Sequence, residues 1–389
     1  MTAPLSVRRL GRATLARQLL LRRESRPAVE TVGELVGLQA QNAWSPYVAL
    51  WSRLEGFRHA ELSDALEDRR LARIAVMRGT IHLVTAADAV LLPALTAPLF
   101  LRALATHGEH GAALRALDLP AVAQAARRLV EEQPRVTTDL GTLLAQQWPG
   151  VAPGALAQAA RGTLPLVQVP PRGLWGRSGA TTWTTADHWL PDASAAAPDV
   201  SDPRERAAQL DRLVLRYLAA FGPAATTDVQ RWSGLTGLRA VRDRLVADGR
   251  AVPLLAAPGP GRARPYEVLD VPGAPLPDED VPAPVRFLPD YDNLLLAHAD
   301  RSRFVDEEHR RALSAPNGVV PGTVLVDGRV AATWSTAVRR EGPGRLATVT
   351  VTPLVPLAAG ERRALLDEAE AFVRFREDAA DDHAVVLDA

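Results

Sequence analysis

The chain has 389 residues, an apolar fraction of 47% and a formal net charge of zero, so it can hold two or three domains with a sizeable core and is neither disordered nor a polycation. Every basic residue is arginine and cysteine is absent, which excludes disulfides, thiol nucleophiles, Cys-ligated zinc, a Walker phosphate loop and a side-chain Schiff base. No apolar run reads as long enough to span a bilayer, arginines interrupt the N-terminal stretch where a secretory signal would lie, and a cytoplasmic location is expected.

In chain order, "SVRRLGRATLARQLLLRR" reads as a first helix, and "TVGELVGLQAQ" as a second, opened by Thr31 and Glu34 in capping-box spacing. "HAELSDALEDRR" reads as a third helix, and "ARIAVMRGTIHLVTA" as a hairpin turning near Arg78 and Gly79. Three helices and a hairpin over residues 6–86 follow the winged helix-turn-helix plan. The plan recurs over about 118–190, where "DLPAVAQAARRLVEE", "TTDLGTLLAQQW" and "GALAQAARGT" precede the hairpin "LPLVQVPPRGLWGRSGATTWTT". It recurs again over 205–271. There "RAAQLDRLVLRYLAAFG" ends at Gly222, and "TTDVQRWSGL" has Thr226 or Thr227 as N-cap and Gly234 as turn. "TGLRAVRDRLVADG" then runs from Thr236 to Gly249, and strands "AVPLL" and "YEVLD" flank the wing loop "APGPGRARP".

From about residue 281 the pattern becomes β. "TVLVDGRVAATW" turns on Asp327-Gly328, "GRLATVTVTPL" adds a strand, and the helix "AGERRALLDEAEAFVRF" closes the chain. The expected fold class is α+β: three tandem winged helix-turn-helix units and a C-terminal β-barrel or sheet. The expected domains are 1–110, 111–200, 201–280 and 281–389.

Winged helices mostly bind nucleic acid, and in a neutral chain the contact must be a local basic face. Arg239 and Arg242 share a face of the third recognition helix, and Arg262 and Arg264 stand in the wing loop. Arg78, Thr80 and His82 alternate along the first wing. Arg172, Trp175 and Arg177 flank glycines in the second hairpin, where arginine can bind phosphate and tryptophan can stack. Each has a plainer reading as well, a satisfied turn histidine for His82 and a packed ring for Trp175. His107 and His110 lack the partners a metal needs, so no metal and no cofactor are expected. Asp290 and Asp292 follow the strand-like "RFLP" and read as a turn, as do His298, Asp300 and Arg301 in "LLLAHADRSR".

The stretch "QAQNAWSPY" holds Gln39 and Gln41. On an α-helix two residues so spaced point about 200° apart, whereas on an extended chain they share a face. Asn42 and Pro46 favour a helix end near Gln39; the plain alternative is that Gln39 caps that end and Gln41 is solvated. An amide is a poor general base and no nucleophile, but it can orient water and turn its carbonyl oxygen to a developing positive charge. That help is enough only for a substrate already activated, such as a purine alkylated at N7, whose cationic base leaves without protonation.

On "LVGLQAQ", "RGTIHLVTAAD", "RGLWGR", "RYLAAFGPAATTDVQRWSGL", "FLPDYDNLLLAHADRSR" and "TVLVDGRVAATW" the chain resembles the YcaQ/AlkZ family of bacterial winged-helix DNA glycosylases over nearly its whole length. The resemblance implies a C-shaped molecule around double-stranded DNA, with the catalytic Gln-x-Gln falling on Gln39 and Gln41. It further implies hydrolysis of N7-alkylpurines, and, since Gln rather than Asp stands second, the branch associated with crosslink unhooking and with resistance to DNA-alkylating antibiotics. A monomer without lyase activity is expected. The alternative is a non-catalytic winged-helix regulator, although most of those use one unit and a dimer axis.

Overall fold

The first helix, Val7–Arg17, is capped by Ser6 Oγ, which accepts from Arg9 N at 3.0 Å, and the chain turns away where Leu19 adopts φ 57°. The computed structural model describes residues 3–259, 263–310, 313 and 320–388. Arg17 is buried in a fork on Asp270 (2.6 and 2.8 Å), and Arg12 pairs with Asp327, so this helix ties two distant parts of the chain together.

The second helix corrects the sequence reading. It spans Ala28–Glu34, not residues 31–41. Thr31 is buried inside it and donates to Pro27 O at 3.1 Å, so Thr31 does not cap, and Glu34 pairs with Arg26. Val36 (φ 55°) and Gly37 (φ 90°) then turn the chain. A Cβ on Gly37 would lie 2.7 Å from Val84 Cγ1 and 3.0 Å from Leu83 O, so the left-handed turn and the close approach both require glycine. The chain leaves this turn extended, as strand β1 (Leu38–Gln39).

Helices Ser45–Trp51 and His59–Glu67 follow, then β2 (Leu71–Ala75) and β3 (Ile81–Thr85) around a tight turn at Met77–Gly79. The next helix, Ala86–Ala105, was not anticipated. Its 20 residues are long and apolar enough, by length and composition alone, to cross a bilayer. In the structure one face of it, with Ala89, Leu92 and Leu95, is buried; Pro98 lacks the N–H that would bond Ala94 O, and Arg206 supplies donors to Ala94 O and Leu95 O at 3.0 Å each.

The second group comprises helices Leu119–Glu132, Thr137–Ala145 and Pro153–Thr163, with β4 (Arg135–Val136), β5 (Leu166–Gln168) and β6 (Thr182–Thr185). Its hairpin joins the first edge to edge, in one six-stranded sheet ordered β1-β3-β2-β5-β6-β4. The β2–β5 seam pairs Arg73 with Gln168 and Ile74 with Val167. Alternate residues feed two cores. Leu38, Leu71, Ile81, Leu83 and Leu166 pack with the helices of the first two groups. Ala72, Ile74, Val84 and Val167 pack against Tyr217, Phe221 and Trp232 of the third group.

That third group has helices Pro203–Phe221, Thr226–Ser233 and Arg239–Ala247 and the separate hairpin β7 (Val252–Ala256) and β8 (Tyr266–Asp270). Thr226 is the first helical residue, not the cap; Asp228 reaches back to accept from Ala225 N at 2.9 Å. The last helix starts at Arg239 rather than at Thr236, and Leu238 N donates to Gln230 Oε1 at 3.3 Å.

The C-terminal part holds β9 (Arg286–Leu288), a short helix Asn293–Leu296, β10 (Gly322–Val326), β11 (Arg329–Glu341), β12 (Gly344–Pro353), the helix Ala359–Arg376 and β13 (Asp382–Leu387). The strands form a five-stranded sheet ordered β13-β12-β11-β10-β9, antiparallel except for β12–β13, which the helix connects as a crossover. Asp327 (φ 48°) and Gly328 (φ 75°) make the two-residue turn read from the sequence.

Candidate active site

Strand β1 sets the Gln-x-Gln geometry. Its register pairs Leu38 with Leu83 and Gln39 with His82, and Ala40 N extends the ladder to Ile81 O at 2.8 Å. Leu38 and Ala40 face the first core, so Gln39 lies on the opposite face, and the chain leaves the ladder in a bend at Gln41. The two amides differ sharply in setting. Gln39 is buried, 6% exposed, and its Oε1 accepts from Arg78 Nη2 at 2.5 Å. Gln41 is exposed in a bend and makes no side-chain hydrogen bond among the described residues.

Arg78 is held at the left-handed turn of the β2–β3 hairpin, with φ 55°. Besides Gln39 it donates to Trp232 O (2.8 Å) and Asn293 Oδ1 (3.3 Å). Burial, with Arg231 and Arg301 nearby, pushes its pKa down to about 10, so it remains charged at neutral pH. Arg73, 2% exposed, donates to Ala40 O at 2.8 Å, and burial pushes it down to about 10 as well. Neither guanidinium has a carboxylate partner among the described residues. Arg73 was missed from sequence because "ARIAVM" reads only as strand.

On the far side of Gln41, Asn42 Nδ2 and Ser45 Oγ both donate to the Asp290 carboxylate, the latter at 2.5 Å. Asp290 is 5% exposed, and burial raises its pKa against those two hydrogen bonds. Asp292 forks onto Arg53 (3.0 and 3.1 Å) and caps the short helix through Leu294 N.

His82 is a correction. It was expected on a DNA-facing wing, but the sheet is covered on both faces and His82 is fully buried. Its Nδ1–H donates to Thr80 O at 3.0 Å, and Nε2 has no partner among the described residues. Burial first, then Arg78, push its pKa down to about 3. The unfolded chain takes up that proton near pH 6.5 and the folded one only near 3. Between those values the unfolded state therefore binds more protons, and stability falls as the pH drops. A limb of up to about 1.4 kcal/mol per pH unit is expected from this group. His82→Leu should flatten it, as read by urea unfolding at pH 7 and pH 5.

Thr80 is half-buried and donates to Met77 O within the turn. Trp175 has one face stacked on His59 (centroids 3.7 Å, 7°), lies beside Phe375, and donates from Nε1 to Asp378 at 3.0 Å. That face is closed to a nucleobase. Arg172 reaches only Gly179 O in its own loop (3.4 Å), while Arg177, Arg239 and Arg264 are exposed. Arg242 is engaged by Asp243 (2.6 Å) and Glu267 (2.5 Å). Arg262 lies outside the described residues. His107 and His110 stack on each other (5.3 Å, 9°). His298 is buried and donates to Phe221 O (3.1 Å), its pKa far below the ordinary value because of that burial, and Asp300 accepts from Ser302 N within its turn. Arg301 is half-buried.

Residues 32–375 match the family described as DNA glycosylase AlkZ-like, a span that takes in both glutamines, Arg78 and the Asp290–Asn293 segment. The chain belongs to the AlkZ-like DNA glycosylase family. Among solved structures, the Streptomyces sahachiroi DNA glycosylase AlkZ aligns with a TM-score of 0.76 over 99% of this chain and 100% of that chain, at 20% sequence identity. At that identity the likeness establishes a shared fold, and family membership rests on the match over 32–375. No curated protein sequence matches the chain.

Proposed function

We propose that this member of the family is a monofunctional glycosylase that hydrolyses the N-glycosidic bond of N7-alkylated purines in double-stranded DNA. The observation that carries the proposal is a pair of neutral amides, Gln39 on a short strand and Gln41 in the bend that follows it, with no available general base beside them among the described residues. The adjoining imidazole of His82 is buried and uncharged at neutral pH, and burial pushes its pKa too low for it to take up a proton from water. Both oxygens of the nearby Asp290 carboxylate are engaged by Asn42 and Ser45. Such a site suits a leaving group that needs no protonation.

The chemistry is then simple. The C1′–N9 electron pair goes to the alkylated base, which leaves neutral. C1′ becomes oxocarbenium-like, water adds to it, and a proton passes to solvent. Gln41, free and exposed, turns its carbonyl oxygen to the water and the nascent cation. Gln39, fixed by Arg78, keeps its amide donors and its second lone pair available at the same place. Arg78 borders a site that must accept a cation, and the negative charge of the bound strand's phosphodiesters offsets its field there.

The exposure of Gln41 supports a shallow site, suited to a base that cannot be flipped deep because it is tied to the other strand. On that ground, and on the Gln-x-Gln branch it resembles, the reading extends to unhooking interstrand crosslinks and to self-protection against a DNA-alkylating natural product. The absence of lysine excludes a Schiff base from a lysine side chain, so no borohydride-trapped complex should form through one. Incubating the protein with methylated duplex and then treating it with alkali is expected to break the strand at N7-methylguanines and to release the free base. A sequence-specific band shift with no released base would replace this reading with that of a regulator.

A further inference from the structure

The stretch "FLPDYDN" carries part of the family resemblance, and nothing in the chemistry above gives it a role. The structure brings it back to both ends of the Gln-x-Gln segment, 248 positions after Asn42 and 256 after Gly37. At one end Asp290 receives Asn42 and Ser45, the residues that close the turn carrying Gln41. The sheet ladder stops at Ala40, and the turn's own backbone bond, Ser45 N to Asn42 O, is long at 3.3 Å. The Asp290 carboxylate therefore holds the Gln41 turn against the body of the protein.

At the other end Asn293, 3% exposed, donates from Nδ2 to Gly37 O at 3.1 Å, where the chain enters strand β1. Its Oδ1 accepts from Arg78 Nη2, the same nitrogen that donates to Gln39 Oε1. Between them Asp292 is anchored by Arg53, whose side chain has no exposure at all. Asp290 and Asn293, three positions apart, thus hold the Gln-x-Gln segment from opposite ends, with Asp292 anchored between them.

We propose that Asp290 and Asn293 are positioning residues of this glycosylase. Asp290 fixes the turn that presents Gln41, and Asn293 fixes the guanidinium that orients Gln39. The C-terminal part of the chain thereby sets the separation and direction of two amides that belong to its first hundred residues. The proposal rests on Gln39 and Gln41 being the catalytic pair. Its physical basis is that neutral dipoles act only where they point, and misplacement by about 1 Å can slow a reaction about 100-fold.

The test is single-turnover release of N7-methylguanine from methylated duplex by the full chain, with duplex affinity measured in parallel. Asp290→Ala and Asn293→Ala are each expected to slow release about 10- to 100-fold while duplex affinity stays within about twofold. Asp290→Asn, which keeps one acceptor for Asn42, should recover most of the rate. Asn42→Ala combined with Asp290→Ala should be no slower than the slower single variant, because both remove one interaction. Should Asp290→Ala lose its fold, Asn42→Ala and Ser45→Ala delete the same hydrogen bonds individually. Wild-type rates in Asn293→Ala and in either Asp290→Ala or both of those substitutes overturn the proposal. So does a rate that falls only in step with duplex affinity. A wild-type protein that releases no base overturns the glycosylase reading beneath it, and the two failures are thereby told apart.

Discussion

Gln41→Ala is expected to slow release of N7-methylguanine about 100-fold or more, with melting temperature and duplex affinity little changed. The magnitude is that of removing one preorganised dipole from a transition state whose charge it stabilises, about 10²- to 10³-fold in comparable sites. Stability should hold because Gln41 is exposed and bonded to nothing among the described residues. Gln39→Ala is expected to lose activity to a similar extent but to cost stability as well. Its carbonyl oxygen is the 2.5 Å acceptor of a largely buried guanidinium, and leaving such a donor short of a partner costs about 1–3 kcal/mol. The two variants together separate chemistry from folding: loss of release with an unchanged melting curve can arise only at the exposed amide. Full release by both single variants would falsify the assignment of the pair.

The second large effect concerns the buried fork between Arg53 and Asp292. The two side chains are 0% and 2% exposed, joined by hydrogen bonds of 3.0 and 3.1 Å. Arg53 also donates to Ala49 O (3.0 Å) and Gln18 Oε1 (3.3 Å). Removing one partner leaves an unpaired charge in a dry interior. Asp292→Ala is therefore expected to destabilise the protein by about 3–5 kcal/mol, read by chemical denaturation. The paired replacement Arg53→Met with Asp292→Leu should recover much of that loss, since neither charge remains to be buried. A full-sized penalty in the pair would mean that the helix cap on Leu294 N, and not the ion pair, carries the effect. Because Asp292 lies between Asp290 and Asn293, its loss should also lower activity.

Much of the architecture was readable in local pattern. The hairpin turns at Arg78-Gly79 and Asp327-Gly328, the helix ends at Gly222 and Gly234, and the amphipathic helices of the second and third groups follow from residues that impose backbone geometry over a few positions. Helix starts were less legible. Thr31, Thr226 and Thr236 all look like caps, yet each true start is set by a neighbour: Pro27, Asp228 reaching back, and Gln230 from the preceding helix. The long helix Ala86–Ala105 was hidden by its two prolines; the carbonyl that Pro98 leaves unbonded is met by Arg206, a residue more than a hundred positions away.

By itself the sequence determined the chemistry the protein cannot do and the place where two neutral amides stand one residue apart. The absence of cysteine and lysine is a property of composition, and the spacing of Gln39 and Gln41 is a property of the chain. Only the tertiary structure decided what those amides meet. That His82 lies inside follows from the sheet being covered on both faces, by cores drawn from three groups of helices. That Gln39 is held and Gln41 is free follows from Arg78, Asn293 and Asp290 arriving from other elements. The physical reason is range: propensity, turn and cap act over a few residues, whereas burial and hydrogen-bond partners are set by whichever distant segments the packed cores bring alongside.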